Sequence, residues 1–353
     1  MDLVQKSIEI IKKYQSNSGA FPAAPNFSAY NYCWLRDGTF IAYALDLKGE
    51  RSSSEQFYLW STRTINKHLS KITHLAEIRK TGGFPAHEQF LHTRYTLEGL
   101  EGTEPWGNFQ LDGYGTFLWG LSSHYIGVEP PGEVVSVAFS IAKYLEEYWD
   151  TPCLDCWEEH GEYVHPSTLA AIYGGLRDIQ QVVRTNFEKT LTAIKKLLFE
   201  RYIFEDHFSK FPQSSEVDAN LLWLAVPFGA VDYHEIKFKN TVTLIEKELL
   251  TDGLHRYKGD SYYGGGEWLL LTAWLAWYFF IVGDNNKASS LLAWMEEQAD
   301  SEGNLPEQVP RNMFFPEAYQ EWVERWGEIA NPLLWSHAMY LIMHDVKQEF
   351  KPK

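Results

Sequence analysis

Residues 268–282 read Trp268-Leu269-Leu270-Leu271-Thr272-Ala273-Trp274-Leu275-Ala276-Trp277-Tyr278-Phe279-Phe280-Ile281-Val282. The run is too short and too rich in Trp and Tyr for a bilayer span. It is apolar on every side, so a helix here is expected to be enclosed all round. Behind it, Gly283-Asp284-Asn285 turns at once into a helical pattern over residues 287–299. Ahead of it lies a long irregular stretch with Asp252-Gly253-Leu254-His255-Arg256-Tyr257 and Gly264-Gly265-Gly266-Glu267. A short link behind and a long one in front form a unit that can be looked for elsewhere.

The same unit recurs along the chain. Hydrophobic periodicity predicts helices over 3–14, about 37–48, 52–69, a fourth ending at Leu121, a fifth ending at Trp149, 166–183, 186–201, 217–226, 234–250, 268–282, 287–299 and 333–346. No convincing run of alternating strand residues is present. Links after even-numbered helices are short, as at 48–52 and 283–287. Those before them are long and hold the clusters of Trp, Arg, Asp, Glu and Gly; the longest, 71–109, reads as irregular. An all-α fold follows: six helical hairpins closing into an inner ring of even helices and an outer ring of odd ones, with the long loops around one mouth. The competing arrangement is an open superhelical solenoid, since no sequence repeat proves closure. One domain covers residues 1–353.

Composition narrows the function. A net charge of -16 leaves no basic stripe for nucleic acid and disfavours anionic membranes. The 14 Trp, 20 Tyr and 21 Phe exceed what a core needs and suit sugar faces. No signal peptide is read at the N-terminus, and three cysteines suit a reducing cytoplasm. Cys153-Leu154-Asp155-Cys156 has no second pair for zinc, and no HExxH is present, so no metal is expected.

Two acidic sites carry the chemistry. Asp155-Cys156-Trp157-Glu158-Glu159-His160 lies between the fifth and sixth helices, and Leu305-Pro306-Glu307-Gln308-Val309 lies near the end. Taken alone, a Trp-Glu-Glu triplet is more often a solvated loop. Hydrolysis of a glycoside needs a protonated acid and a carboxylate on opposite sides of the sugar. Glu158, beside Glu159 and Trp157, suits the acid, because a like charge and an apolar neighbour both raise a carboxyl pKa. Glu307, between Pro306 and Pro310, has a stiff mount that suits the base. Arg36 and Asp37 are candidates to bind sugar hydroxyls; the plainer alternative is that Asp37 caps its helix. Arg256, Trp34, Trp106 and Trp268 flank these clusters, with surface ion pairing and core packing as their plainer roles.

At these residues the chain resembles glycoside hydrolase family 15, the glucoamylase family. Tyr30-Asn31-Tyr32-Cys33-Trp34-Leu35-Arg36-Asp37 is similar to its first motif. Trp106 with Gln110-Leu111-Asp112-Gly113-Tyr114-Gly115 is similar to the second, and Trp157-Glu158-Glu159 to the general-acid motif. Gly253 to Tyr257 with Gly265-Gly266-Glu267-Trp268 is similar to the arginine region, and Leu305-Pro306-Glu307-Gln308 to the general-base motif. Asn331-Pro332-Leu333-Leu334-Trp335-Ser336-His337-Ala338 is similar to the closing helix. The resemblance implies an (α/α)6 barrel and inverting, exo-acting hydrolysis of α-glucosides without a cofactor. It implies that Arg36, Asp37 and Arg256 hold the terminal glucose, that Tyr30 contacts the base, that Trp106 contacts substrate and that Glu159 lies near the reducing-side sugar. The chain starts at the first barrel helix, which points to short intracellular oligosaccharides of the maltose or isomaltose type. A trehalase of the same family and a non-catalytic sugar sensor are the rival readings. Linkage, chain length and oligomeric state stay open.

Overall fold

The computed structural model describes residues 2–350. The enclosed helix is there as α9, Leu269–Val282, with an apolar surface all round and a left-handed Gly283 at its end (φ 85°). It belongs to an inner ring with α2 (Leu35–Leu47), α4 (Asp112–His124), α6 (Pro166–Val183), a 3-10 segment at Ala219–Leu224 and α12 (Leu334–Glu349). Each of these six packs on the next, and α12 returns to α2, so the ring is closed and the solenoid is excluded. Outside it stand α1 (Leu3–Tyr14), α3 (Arg51–Lys80), α5 (Gly132–Tyr148), α7 (Glu188–Arg201), α8 (Ile236–Leu249) and α10 (Asn285–Glu297), completing an (α/α)6 barrel.

Close approach inside the ring rests on two glycines. A Cβ at Gly115 would come within 2.5 Å of the Ala171 carbonyl, and one at Gly175 within 2.2 Å of the Gly115 oxygen. The backbones of α4 and α6 therefore touch, and any larger residue would force them apart.

Four expectations are corrected. The helix expected over 52–69 runs on to Lys80 as part of α3, which shortens the irregular stretch that follows. The helix expected over 217–226 is only the six-residue 3-10 segment. Asp218 caps it by accepting from the Asn220 N–H (2.8 Å), and Pro227 cannot continue a helix. The loop after Glu307 contains an unexpected helix, α11 (Tyr319–Trp326). Asp37 does not cap α2: the N-cap position is Trp34, with no side-chain cap, and Asp37 is buried in the first turn.

Every inner element begins at the same end, because the long loops precede them. Three two-residue ladders pin those loops. Cys33–Trp34 (β1) pairs with Arg94–Tyr95 (β2) just before α2. Ile203–Phe204 (β3) and His207–Phe208 (β4) form a hairpin after α7. Glu267–Trp268 (β5) pairs with Gln308–Val309 (β6), which ties the start of α9 to the residue after Glu307. No helix among the described residues is long and apolar enough to cross a membrane.

Candidate active site

The mouth holds a cavity of about 500 Å³. Its floor is built from the first turns of inner helices. Arg36 and Asp37 of α2 are 4% and 7% exposed, and Trp335 of α12 lies beneath them with its ring 5.4 Å from the Arg36 guanidinium. Arg36 donates through Nη1 to Gln110 Oε1 and Asp112 Oδ2, both at 2.9 Å, and its Nε lies 3.3 Å from Asp37 Oδ2. Burial raises the Asp37 carboxyl to about 6, against the pull of Arg36. Asp37 lines the cavity, and its Oδ2 has no hydrogen-bond partner beside that ion pair with Arg36.

Glu158 stands on one wall in the left-handed backbone region (φ 68°), in a loop whose shape is set by Asp155. Asp155 Oδ1 accepts from the Trp157 N–H (2.9 Å) and the Glu159 N–H (3.0 Å). Trp157 Nε1 donates to both oxygens of buried Asp218 (3.1 and 3.0 Å), and Asp218 pairs with Lys210 at 2.8 Å. The Glu158 carboxylate accepts on Oε1 from Trp34 Nε1 (2.7 Å) and Gln110 Nε2 (3.0 Å). Glu159 reaches the other way: Tyr257 OH donates to its Oε2 (2.6 Å), and Arg256 Nη2 lies 3.5 Å from its Oε1.

Arg256 is not a surface residue. It is 4% exposed, donates from Nε to Asp260 Oδ2 (2.7 Å) and pairs through Nη2 with Asp260 Oδ1. The rings of Trp157, Tyr257, Tyr262 and Trp268 surround its guanidinium at 5.3–5.6 Å. That cage holds a buried cation in one orientation.

Glu307 lies on the wall formed by the β5–β6 ladder. Its N–H donates to the Ala330 carbonyl (2.9 Å); the Leu305 N–H donates to His337 Nε2 (3.1 Å) and the Ser336 hydroxyl to the Pro306 carbonyl (2.7 Å). The loop is thus fastened to α12. Its carboxyl is 3% exposed and Oε2 has no partner. Burial drives it up to about 8, while the Tyr30 and Tyr262 hydroxyls and the Arg256 charge act in the opposite direction. Tyr30 OH and Tyr262 OH are hydrogen-bonded to each other at 2.7 Å.

The remaining candidates close the cavity. Trp106 meets Trp34 edge-on at 6.2 Å and stacks against the Arg94 guanidinium at 4.0 Å. Trp268 packs on Trp157 at 5.9 Å. All eleven side chains singled out from the sequence line this one cavity: Tyr30, Trp34, Arg36, Asp37, Trp106, Trp157, Glu158, Glu159, Arg256, Trp268 and Glu307. Sequence reasoning missed Tyr257, Asp260, Tyr262 and the pair Trp322 and Trp326 of α11, which line it as well. For α11 a signal existed, the i, i+3, i+4, i+7 spacing of Tyr319, Trp322, Val323 and Trp326. For Lys210 and Asp218, which act from behind the wall, no spacing signal exists.

An aromatic-walled cavity with Glu158 and Glu307 among its carboxylates, at the mouth of a closed helical barrel, is the build of a carbohydrate-cleaving enzyme. A family model described as glycosyl hydrolases family 15 matches residues 1–285. The chain belongs to this family and is a glycoside hydrolase. An isomaltose glucohydrolase of Kribbella flavida is 39% identical over 357 aligned residues, which cover 98% of this chain and 92% of that protein. A trehalase of Thermoplasma acidophilum is 25% identical over 79% of this chain and 51% of that one. Among solved structures, a wild-type glycosidase superposes with a TM-score of 0.94 at 38% identity, covering 99% and 97% of the two chains. A substituted form of a glycosidase with the same match was solved in complex with glucose.

Proposed function

We propose that the protein is an inverting, exo-acting α-glucosidase that releases β-D-glucose from the non-reducing end of short α-gluco-oligosaccharides. One observation carries this reading. Glu158, with two donors on one oxygen, and Glu307, with a buried unpartnered oxygen, share a cavity whose floor is a fixed Arg36–Asp37 pair. Such a floor suits the hydroxyls of a terminal sugar.

In this mechanism Glu158 donates its proton to the glycosidic oxygen as the bond to the anomeric carbon breaks. Glu307 takes a proton from a water that attacks the same carbon from the opposite face. The leaving sugar departs as the alcohol and the new glucose has inverted configuration. Arg36, Asp37 and Arg256 hold the terminal glucose, and Tyr30 and Tyr262 bracket the base. Trp34 and Trp157 frame the acid, Trp106 and Trp268 supply apolar faces, and Glu159 fixes Arg256 and Tyr257.

The 39% relative, over nearly the whole of both chains, favours isomaltose-type α-1,6 linkages over trehalose, since the trehalases match at 22–26%. Residues 1–353 act as one catalytic domain in this reading; the inner ring draws on elements from Leu35 to Glu349. Cys33, Cys153 and Cys156 are all free and buried, which fits a cytoplasmic enzyme. The test is proton NMR of the protein mixed with maltose, isomaltose, panose and trehalose, read within minutes. Early β-glucose, fastest from isomaltose, is expected; early α-glucose would overturn inversion and the role of Glu307.

A further inference from the structure

The cavity is graded from a buried floor to an open rim. Arg36, Asp37 and Trp335 at the floor are under a tenth exposed, whereas Trp326 on the rim is 37% exposed. An exo-acting enzyme holds the terminal sugar at the blind end, so the rim faces whatever stands beyond the scissile bond. The rim is supplied by α11. Its Trp322 packs edge-on against Tyr262 at 5.0 Å, on the side of Glu307, and the Tyr263 hydroxyl donates to the Gly327 carbonyl at 2.8 Å. At its other end Trp326 meets Trp106 edge-on at 6.4 Å, on the side of Glu158. The helix therefore bridges the two catalytic walls.

Between the two indoles sits Arg325, whose guanidinium lies 5.4 Å from each ring. It lines the cavity, and among the described residues it has no ion-pair or hydrogen-bond partner. A guanidinium offers five donors in one plane. Two rings restrain this one beside the open end of a sugar pocket, within reach of a ligand there.

We infer that α11 selects the leaving group: Arg325 binds the hydroxyls of one leaving-group sugar, and Trp326 with Trp106 forms the wall that stops a second sugar from following. The substrate class is then a disaccharide, not a longer chain. This rests on the hydrolytic reading of Glu158 and Glu307. Arg325 and Trp326 are both exposed, so substituting them leaves the barrel core untouched.

The experiment compares unmodified protein, Arg325→Met and Trp326→Ala on isomaltose, isomaltotriose and an aryl α-glucoside with no leaving sugar. Loss of a charged hydrogen-bond donor should lower the kcat/KM ratio of isomaltose to aryl glucoside about tenfold in Arg325→Met, chiefly through KM. Trp326→Ala should raise the isomaltotriose to isomaltose ratio about fivefold or more, as the wall is removed. If the unmodified protein is active and both ratios stay put, the assignment to α11 falls alone. If the unmodified protein releases glucose from none of these sugars, the hydrolytic reading falls and takes this one with it.

Discussion

Replacing Glu307 by glutamine should destroy activity and stabilise the protein, and the stabilisation should depend on pH in a calculable way. The Glu307 carboxyl has an ordinary value of 4.5 and is driven to about 8 by burial. A carboxyl raised on folding costs nothing below pH 4.5, where both states are protonated. As pH rises, the unfolded chain ionises first, so the folded state loses ground until about pH 8, where the penalty levels off. With about 1.36 kcal/mol per pH unit, the penalty is under about 1 kcal/mol at pH 5 and about 4 kcal/mol at pH 8. Glutamine has the same shape and never ionises, so it removes this penalty. Asp155, itself raised to about 7 by burial, is present in both proteins and drops out of the difference.

The assay is urea unfolding of both proteins at pH 5 and pH 8, followed by tryptophan fluorescence. The expected result is near-equal stability at pH 5 and a more stable Glu307→Gln at pH 8, with turnover lowered roughly 10²–10⁴-fold as for loss of a general base. In the unmodified protein, kcat/KM should rise with pH as the base ionises and fall again once the acid has lost its proton, a bell-shaped profile. A stability gain of the same size at both pH values would refute the reasoning, because a packing effect has no proton in it. So would a variant that is less stable at pH 8.

Three further outcomes are expected. Glu158→Gln should cripple hydrolysis of disaccharides yet spare much of the rate on aryl glucosides whose leaving group needs no proton, as steady-state kinetics on both will show. Lys210→Met leaves Asp218 buried without its cation, with Asp155 close by; the lost pair should cost about 3–5 kcal/mol, read by urea unfolding. Gly115→Ala drives a methyl into the Ala171 carbonyl and should lower the melting temperature by several degrees, about 1–3 kcal/mol of strain, seen by circular dichroism.

Much of the barrel is legible because its strongest signals are periodic. The residues of α9 admit only a surrounded helix, and the short and long links announce paired helices with a shared mouth. Ring closure is less legible, since it depends on α12 meeting α2 nearly three hundred residues apart. The apolar run 217–226 misleads because its hydrophobic residues fit a 3-10 turn as well as a helix, and Pro227 decides the matter only once its neighbours are placed. The second half of α3 is obscured by charge: Leu69, Ile72, Leu75 and Ile78 keep helical spacing, but the residues among them are polar and mostly exposed. At the site, the glutamates stand in recognisable surroundings, whereas Lys210 and Asp218 look like ordinary loop residues. Their value lies in being buried together behind Trp157, which only the folded chain displays.

The closing contact between α12 and α2 also sets an order of events during synthesis. Until Leu334–Glu349 has been made, Arg36 lacks Trp335, the Leu305 N–H lacks His337, and one flank of α9 stands bare. The floor and the Glu307 wall therefore come into being together, at the last step. A nascent chain carries an apolar helix with that flank uncovered until α12 has emerged, and this interval is when it most needs a chaperone.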